Sequence, residues 1–236
     1  MSRLDDLISF YGLLEALESK QGGRRNLALC NGRMRWPDQG VYFFFEKEEC
    51  RSDSGSGLRV VRVGTHALTA TSKTSLWKRL SQHRGNANGQ RGNHRGSIFR
   101  LLVGKALQTR DSETISSWGI SESASAAATK LGVHHEHLKA QEMEAERAVS
   151  RAIGEMPFIW LDINDPPSPD SLRGYVERNA IALLSNSRET PLDPPSESWL
   201  GQYCDRKKVR ESGLWNNRHI DDTYDPDFLD KFSSLI

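Results

Sequence analysis

The residues with the clearest chemical content are a carboxylate on an apolar helix face and a long run of cations. Over residues 171–185 the apolar stripe is Leu172, Val176, Ala180, Ile181, Leu183 and Leu184, and Glu177 precedes Ala180, Ile181 and Leu184 by three, four and seven residues. That spacing puts its carboxylate within the stripe. An ionised carboxylate there is costly unless a cation or a metal ion compensates it. Glu177 is therefore either half of a structural ion pair with an arginine or a metal ligand. The cations run from Leu58 to Arg110: Arg59, Arg62, Lys73, Lys78, Arg79, Arg84, Arg91, Arg95, Arg100, Lys105 and Arg110, eleven in 53 residues that contain no Asp or Glu. Three histidines, His66, His83 and His94, and several glycines interleave with them. Such a block is either a solvated basic face or a phosphate-contacting surface, and the interleaving favours phosphate.

These side chains need elements to hold them. Asp5 to Ser19 repeats apolar residues at three- and four-residue steps and reads as an amphipathic helix that caps the adjacent domain. Val41-Tyr42-Phe43-Phe44-Phe45 reads as a strand buried on both faces, and Leu58 to Gly64 as its antiparallel return after a Ser/Gly-rich turn. Thr74 or Ser75 caps a helix running to Gly85, on which Arg79 and His83 lie one turn apart at the edge of the apolar face. A basic, glycine-rich loop, Gly85 to Gly96, leads to an apolar helix over Ser97 to Leu107. Ser125 to Ile153 is a long helical pattern weakened at Gly132, with Leu131, Leu138, Ala145, Val149 and Ile153 inward. Phe158 to Ile163 is a third strand, and after the Glu177 helix a Pro-rich stretch opens a polar C-terminal arm containing Trp199 and Trp215. The expected fold class is mixed α/β: a small three-stranded, mainly antiparallel sheet flanked by helices. It divides into an N-terminal helical extension (1–39), a central domain (40–190) with a helical insertion near 109–156, and the arm (191–236).

Composition narrows the class. With 36% hydrophobic and 27% charged residues in 236, the chain is long enough for a full core. No run of about 18 apolar residues exists, and the acidic amphipathic start does not resemble a secretory signal, so a cytoplasmic protein with no membrane partner is expected. Cys30, Cys50 and Cys204 are odd in number and widely spaced, as reduced thiols would be. His134-His135-Glu136-His137 looks like a zinc motif, but Lys139 stands where the second histidine of the protease pattern belongs, so a solvated helix face is expected. The formal net charge of +1 argues against nucleic acid only until the cationic block is removed from it, which leaves the rest of the chain at −10.

Taken in order, these pieces resemble the GIY-YIG nucleases. Gly40-Val41-Tyr42 resembles the first signature and Arg62-Val63-Gly64 the second; Arg79 matches the helix arginine, His83 and His94 match recurrent histidines, and Glu177 matches the metal-binding glutamate. The resemblance spans Gly40 to about Asn186. It implies hydrolysis of phosphodiester bonds in DNA by a divalent-metal-dependent endonuclease, with Mg²⁺ or Mn²⁺ on Glu177, Arg79 stabilising the phosphate, and Tyr42, assisted by His83 or His94, aligning or deprotonating water. Arg62, His66, Arg84, Arg91, Arg95 and Arg100 are the expected nucleic-acid contacts, with binding that weakens steeply in salt. Three departures accompany it. Arg62 replaces the usual second-signature tyrosine, Asn186 is the nearest candidate for an asparagine that often follows the glutamate, and about fifty residues are inserted before the third strand. Arg62 makes a weakened, binding-only relative the rival reading, and an RNA-directed nuclease is a further alternative.

Overall fold

The computed structural model describes residues 2–85 and 92–236. Helix α1 (Arg3–Gln21) begins at a capping box between Ser2 and Asp5 and ends at Gly22, whose φ of 73° stops it. It is followed by a two-residue strand β1 (Arg25–Asn26) and then by β2 (Gly40–Cys50) and β3 (Leu58–Gly64). Next come α2 (Leu76–Arg84), capped by Ser75, and α3 (Ile98–Arg110), capped by Ser97. Helices α4 (Ala124–Leu131) and α5 (His135–Glu155) follow. Strand β4 (Pro157–Asp162) and α6 (Leu172–Leu184) complete the central part, and the arm adds α7 (Lys207–Ser212) and α8 (Phe228–Ser233).

The sheet is antiparallel in the order β1-β4-β2-β3. It contains the three expected strands plus β1, too short to announce itself by periodicity. Alternation along β2 sorts the two cores. Val41, Phe43 and Phe45 face α1, α6 and α8, while Tyr42 and Phe44 face α2, α3 and α5. The sheet is thus covered on both sides, which is why β2 reads as an unbroken apolar run. A register shift between Phe44 and Phe45 places Arg62 opposite Phe44 and Gly64 opposite Tyr42.

The long helical pattern does break at Gly132, with φ of 66°, and the break turns Leu131 outward rather than inward. The arm lies against the free edge of β3. The Trp215 backbone N–H donates to the Val61 carbonyl at 2.7 Å, while Asn216 accepts from the Val63 N–H at 3.1 Å and donates to its carbonyl at 2.8 Å. An otherwise unpaired edge is thereby closed. Trp199 and Trp215 are both buried and donate their indole N–H groups to Glu46. Residues 134–137 are largely exposed at the start of α5, and His134 serves as its cap. No helix among the described residues is long and apolar enough to cross a membrane.

Candidate active site

Beyond the start of β2 and the end of β3, where α2 from one layer and α6 from the other approach, lies a cleft of about 530 Å³. Both signature glycines are there for close approach. A Cβ on Gly40 would press on the Leu161 carbonyl, and one on Gly64 would overlap the Tyr42 phenol. The aromatic ring therefore crosses over β3 and reaches the cleft. The Thr65 hydroxyl donates to the Gly40 carbonyl at 2.8 Å and ties the two strand ends together.

Tyr42, Arg62, His66, Arg79 and Glu177 all line this cleft. The Thr65 N–H donates to Glu177 Oε1 at 3.1 Å. Burial pushes the Glu177 carboxyl above its ordinary range, and Arg62, His219, the Thr65 N–H and Arg79 pull it partly back. Arg79 donates to Gln82 and to the Gly96 carbonyl, and no carboxylate lies within ion-pairing distance of it among the described residues. It is a half-exposed cation on the cleft wall. Arg62 is buried; it donates to the Trp215 carbonyl, its guanidinium lies 4.8 Å from the centre of the Phe99 ring, and its Nε has no partner. His66 gives its Nδ1–H to the Thr74 carbonyl at 2.9 Å, which leaves Nε2 unpartnered, and burial lowers its pKa to about 4.

His83 lies behind Tyr42, fully buried, with Nε2 2.8 Å from the phenol oxygen and Nδ1 2.7 Å from Ser97 Oγ. Burial and the cations Arg79, Arg62 and Arg100 hold it neutral by pushing its pKa well below the ordinary value.

Several residues expected at the phosphate lie elsewhere. His94 is buried, stacked on Trp118, and hydrogen-bonded to Glu146 at 2.9 Å, while its Nε2 accepts from the Gly119 N–H. Arg100 pairs with the same Glu146, and Arg95 forms a two-pronged pair with Glu142 at 2.7 Å. Both carboxylates come from α5, and burial of these arginines requires that they be neutralised there. Arg84 donates to the Cys30 carbonyl and lies over Trp77. Asn186 accepts from Arg3 and from the Leu192 N–H, outside the cleft. Arg91 lies outside the described residues.

Sequence reasoning missed the arm's contribution. Asn216, Asn217, Arg218 and His219 all line the cleft. His219 has φ of 62°, a left-handed backbone uncommon outside glycine but one that histidine tolerates better than most, and its Nδ1–H donates to Asp222 at 2.7 Å. The adjacent Asn216-Asn217 pair is the visible trace of this in the sequence; the chain reversal that brings His219 to Glu177 leaves none.

No curated protein and no solved structure matches the chain. The model of the GIY-YIG domain matches residues 1–236, the whole chain, including the N-terminal helix and the arm that the signature residues alone do not reach. With both signature glycines closing the strand ends, and the helix arginine and the late-helix glutamate meeting at one cleft beside them, the chain belongs to the GIY-YIG domain family.

Proposed function

We propose that the protein is a divalent-metal-dependent endonuclease that hydrolyses phosphodiester bonds in DNA. The observation that carries this reading is the meeting of Tyr42, Arg79 and Glu177 in one cleft, each from a different element. Hydrolysis adds water across a P–O bond and leaves a phosphomonoester and a hydroxyl. Negative charge grows on the phosphate oxygens as it proceeds. Arg79, with no carboxylate partner among the described residues, is placed to meet that charge, and Arg62 supports it from deeper in the cleft. Tyr42 presents its phenol oxygen where an attacking water would be aligned, with His83 behind it rather than beside the substrate.

The donor set fits a hard cation. Glu177 uses one carboxylate oxygen on the Thr65 N–H and leaves the other open to the cleft, and the described residues hold no cluster of three carboxylate, histidine or cysteine groups that would form a closed cage. One carboxylate completed by water and phosphate oxygens suits Mg²⁺ or Mn²⁺. When bound, such an ion would polarise the scissile phosphate and stabilise the leaving oxygen.

The test is cleavage of supercoiled and linear DNA, with RNA in parallel, in Mg²⁺, Mn²⁺ or chelator. Wild type is expected to cut DNA only with metal, and Glu177→Ala and Arg79→Ala to lose at least 100-fold in rate. Retained binding without cutting would instead favour the binding-only reading, in which Arg62 in place of the tyrosine gives phosphate affinity without chemistry. Preference for RNA would replace the DNA assignment.

A further inference from the structure

Tyr42, His83 and Ser97 form a row in which counting the protons fixes their positions. Ser97 Oγ lies 2.7 Å from His83 Nδ1, and His83 Nε2 lies 2.8 Å from Tyr42 Oη. A neutral imidazole carries one ring proton, so the three groups hold three protons for two hydrogen bonds. One proton must point out of the row at one end or the other.

The ends differ. Both are buried, Tyr42 at 0% and Ser97 at 1% exposure, but the Ser97 oxygen sits in the protein interior and already accepts the Arg100 N–H at 3.2 Å as the cap of α3, whereas Tyr42 borders the cleft. If His83 donated from Nδ1, the Ser97 hydroxyl proton would have no acceptor among the described residues. A buried donor left without an acceptor is costly. If His83 donates from Nε2, the outward proton belongs to Tyr42, at the end that borders the cleft, where a group bound in the cleft would accept it.

We propose that Ser97 is a positioning residue that locks His83 in the Nε2–H form, so that His83 gives Tyr42 a hydrogen bond and cannot take its proton. The His83 lone pair is occupied by the Ser97 hydroxyl. Tyr42 is then supported at its oxygen from behind and directs its own O–H into the cleft. For catalysis this rests on the nuclease reading above: His83 sets the direction of the phenol proton, and the water is aligned by Tyr42 alone. The proton arrangement itself stands independently of what the cleft does.

The experiment is nitrogen-15 NMR of histidine-labelled, full-length protein, with His83 assigned by loss of its signals in His83→Gln. The wild type is expected to show a protonated Nε2 and a bare Nδ1; a protonated Nδ1 overturns the proposal. Ser97→Asp keeps an acceptor for the Arg100 N–H but offers His83 only an acceptor, so its His83 signals should switch to Nδ1–H. DNA cleavage should then fall at least 10-fold in kcat with KM little changed, and Ser97→Thr, which retains the hydroxyl, should restore both signals and rate. A switched Ser97→Asp that cuts like wild type would overturn the link to Tyr42. Absence of cleavage in wild type with the expected NMR pattern would sink the nuclease reading and leave the proton assignment supported. Should Ser97→Asp fail to fold, the wild-type spectrum decides.

Discussion

Glu177 separates two roles that its sequence position alone leaves open. Were it chiefly the partner of a buried arginine, removing its charge would leave Arg62 uncompensated and destabilise the fold. Burial instead outweighs the cations around it, so the carboxyl is pushed up and its ionised form is a cost to the folded chain at neutral pH. Glu177→Gln, measured in chelator by urea denaturation at pH 7, is therefore expected to be more stable than wild type while losing cleavage, the signature of a group kept for function. A loss of stability would return Glu177 to the structural role. His66 has the opposite linkage. Its folded pKa of about 4 lies below the ordinary 6.5, so the unfolded chain takes up a proton first as pH falls. The stability it contributes is present above pH 6.5 and is lost between 6.5 and 4. His83, also depressed, adds to that loss, so the informative comparison is His66→Gln against wild type. The variant should flatten the fall in unfolding free energy across this window by about 1–3 kcal/mol, and identical pH profiles would contradict the assignment.

At the scale of elements, α5 supports the residues behind the cleft without touching it. Glu142 and Glu146 project inward from it and neutralise Arg95 and Arg100, and Glu146 also receives His94. Arg100 in turn donates to the His83 carbonyl at 2.8 Å, so the same network fixes the end of α2. Removing one partner of a buried pair leaves a charge without compensation. Glu146→Ala is expected to cost about 3–5 kcal/mol in urea denaturation, and Glu146→Gln, which still accepts hydrogen bonds, markedly less. Equal stability of Glu146→Ala and wild type would refute this. The network was legible in part. Glu142 and Glu146 fall in the apolar stripe of Leu138, Ala145, Val149 and Ile153 by the same spacing argument that singled out Glu177, so they too announce buried carboxylates. What spacing does not reveal is the partner. The strands, α2, its Ser75 cap and the break at Gly132 were readable because local periodicity and capping decide them. β1 was not, because two residues carry no period, nor was the docking of the arm, because Asn216 substitutes a side-chain amide for a strand backbone.

Charge counted along the chain and charge presented by the whole molecule are different quantities here. The eleven cations of residues 58–110 meet no acid in their own stretch, yet the fold brings Glu49 to Arg59 at 2.6 Å, Glu142 to Arg95 and Glu146 to Arg100. Those guanidiniums face inward, and much of the apparent positive field is internal. Among the described residues, Arg62 and Arg79 in the cleft and the exposed Lys73 and Lys78 are cations of the block without a carboxylate partner. The steep salt dependence expected from the block as a whole should accordingly be shallower, because each neutralised phosphate contributes a slope of about 0.9 for duplex DNA. The expected outcome of binding titrations across a salt series is specific to each arginine. Arg79→Ala lowers the slope of log K against log salt by about 0.9 at nearly unchanged melting temperature, whereas Arg95→Ala leaves the slope alone and lowers the melting temperature by several degrees as Glu142 loses its partner. The reverse pattern, a slope carried by Arg95 and not by Arg79, would mean that the α3–α5 pairs open to the nucleic acid and that the binding surface lies there rather than at the cleft.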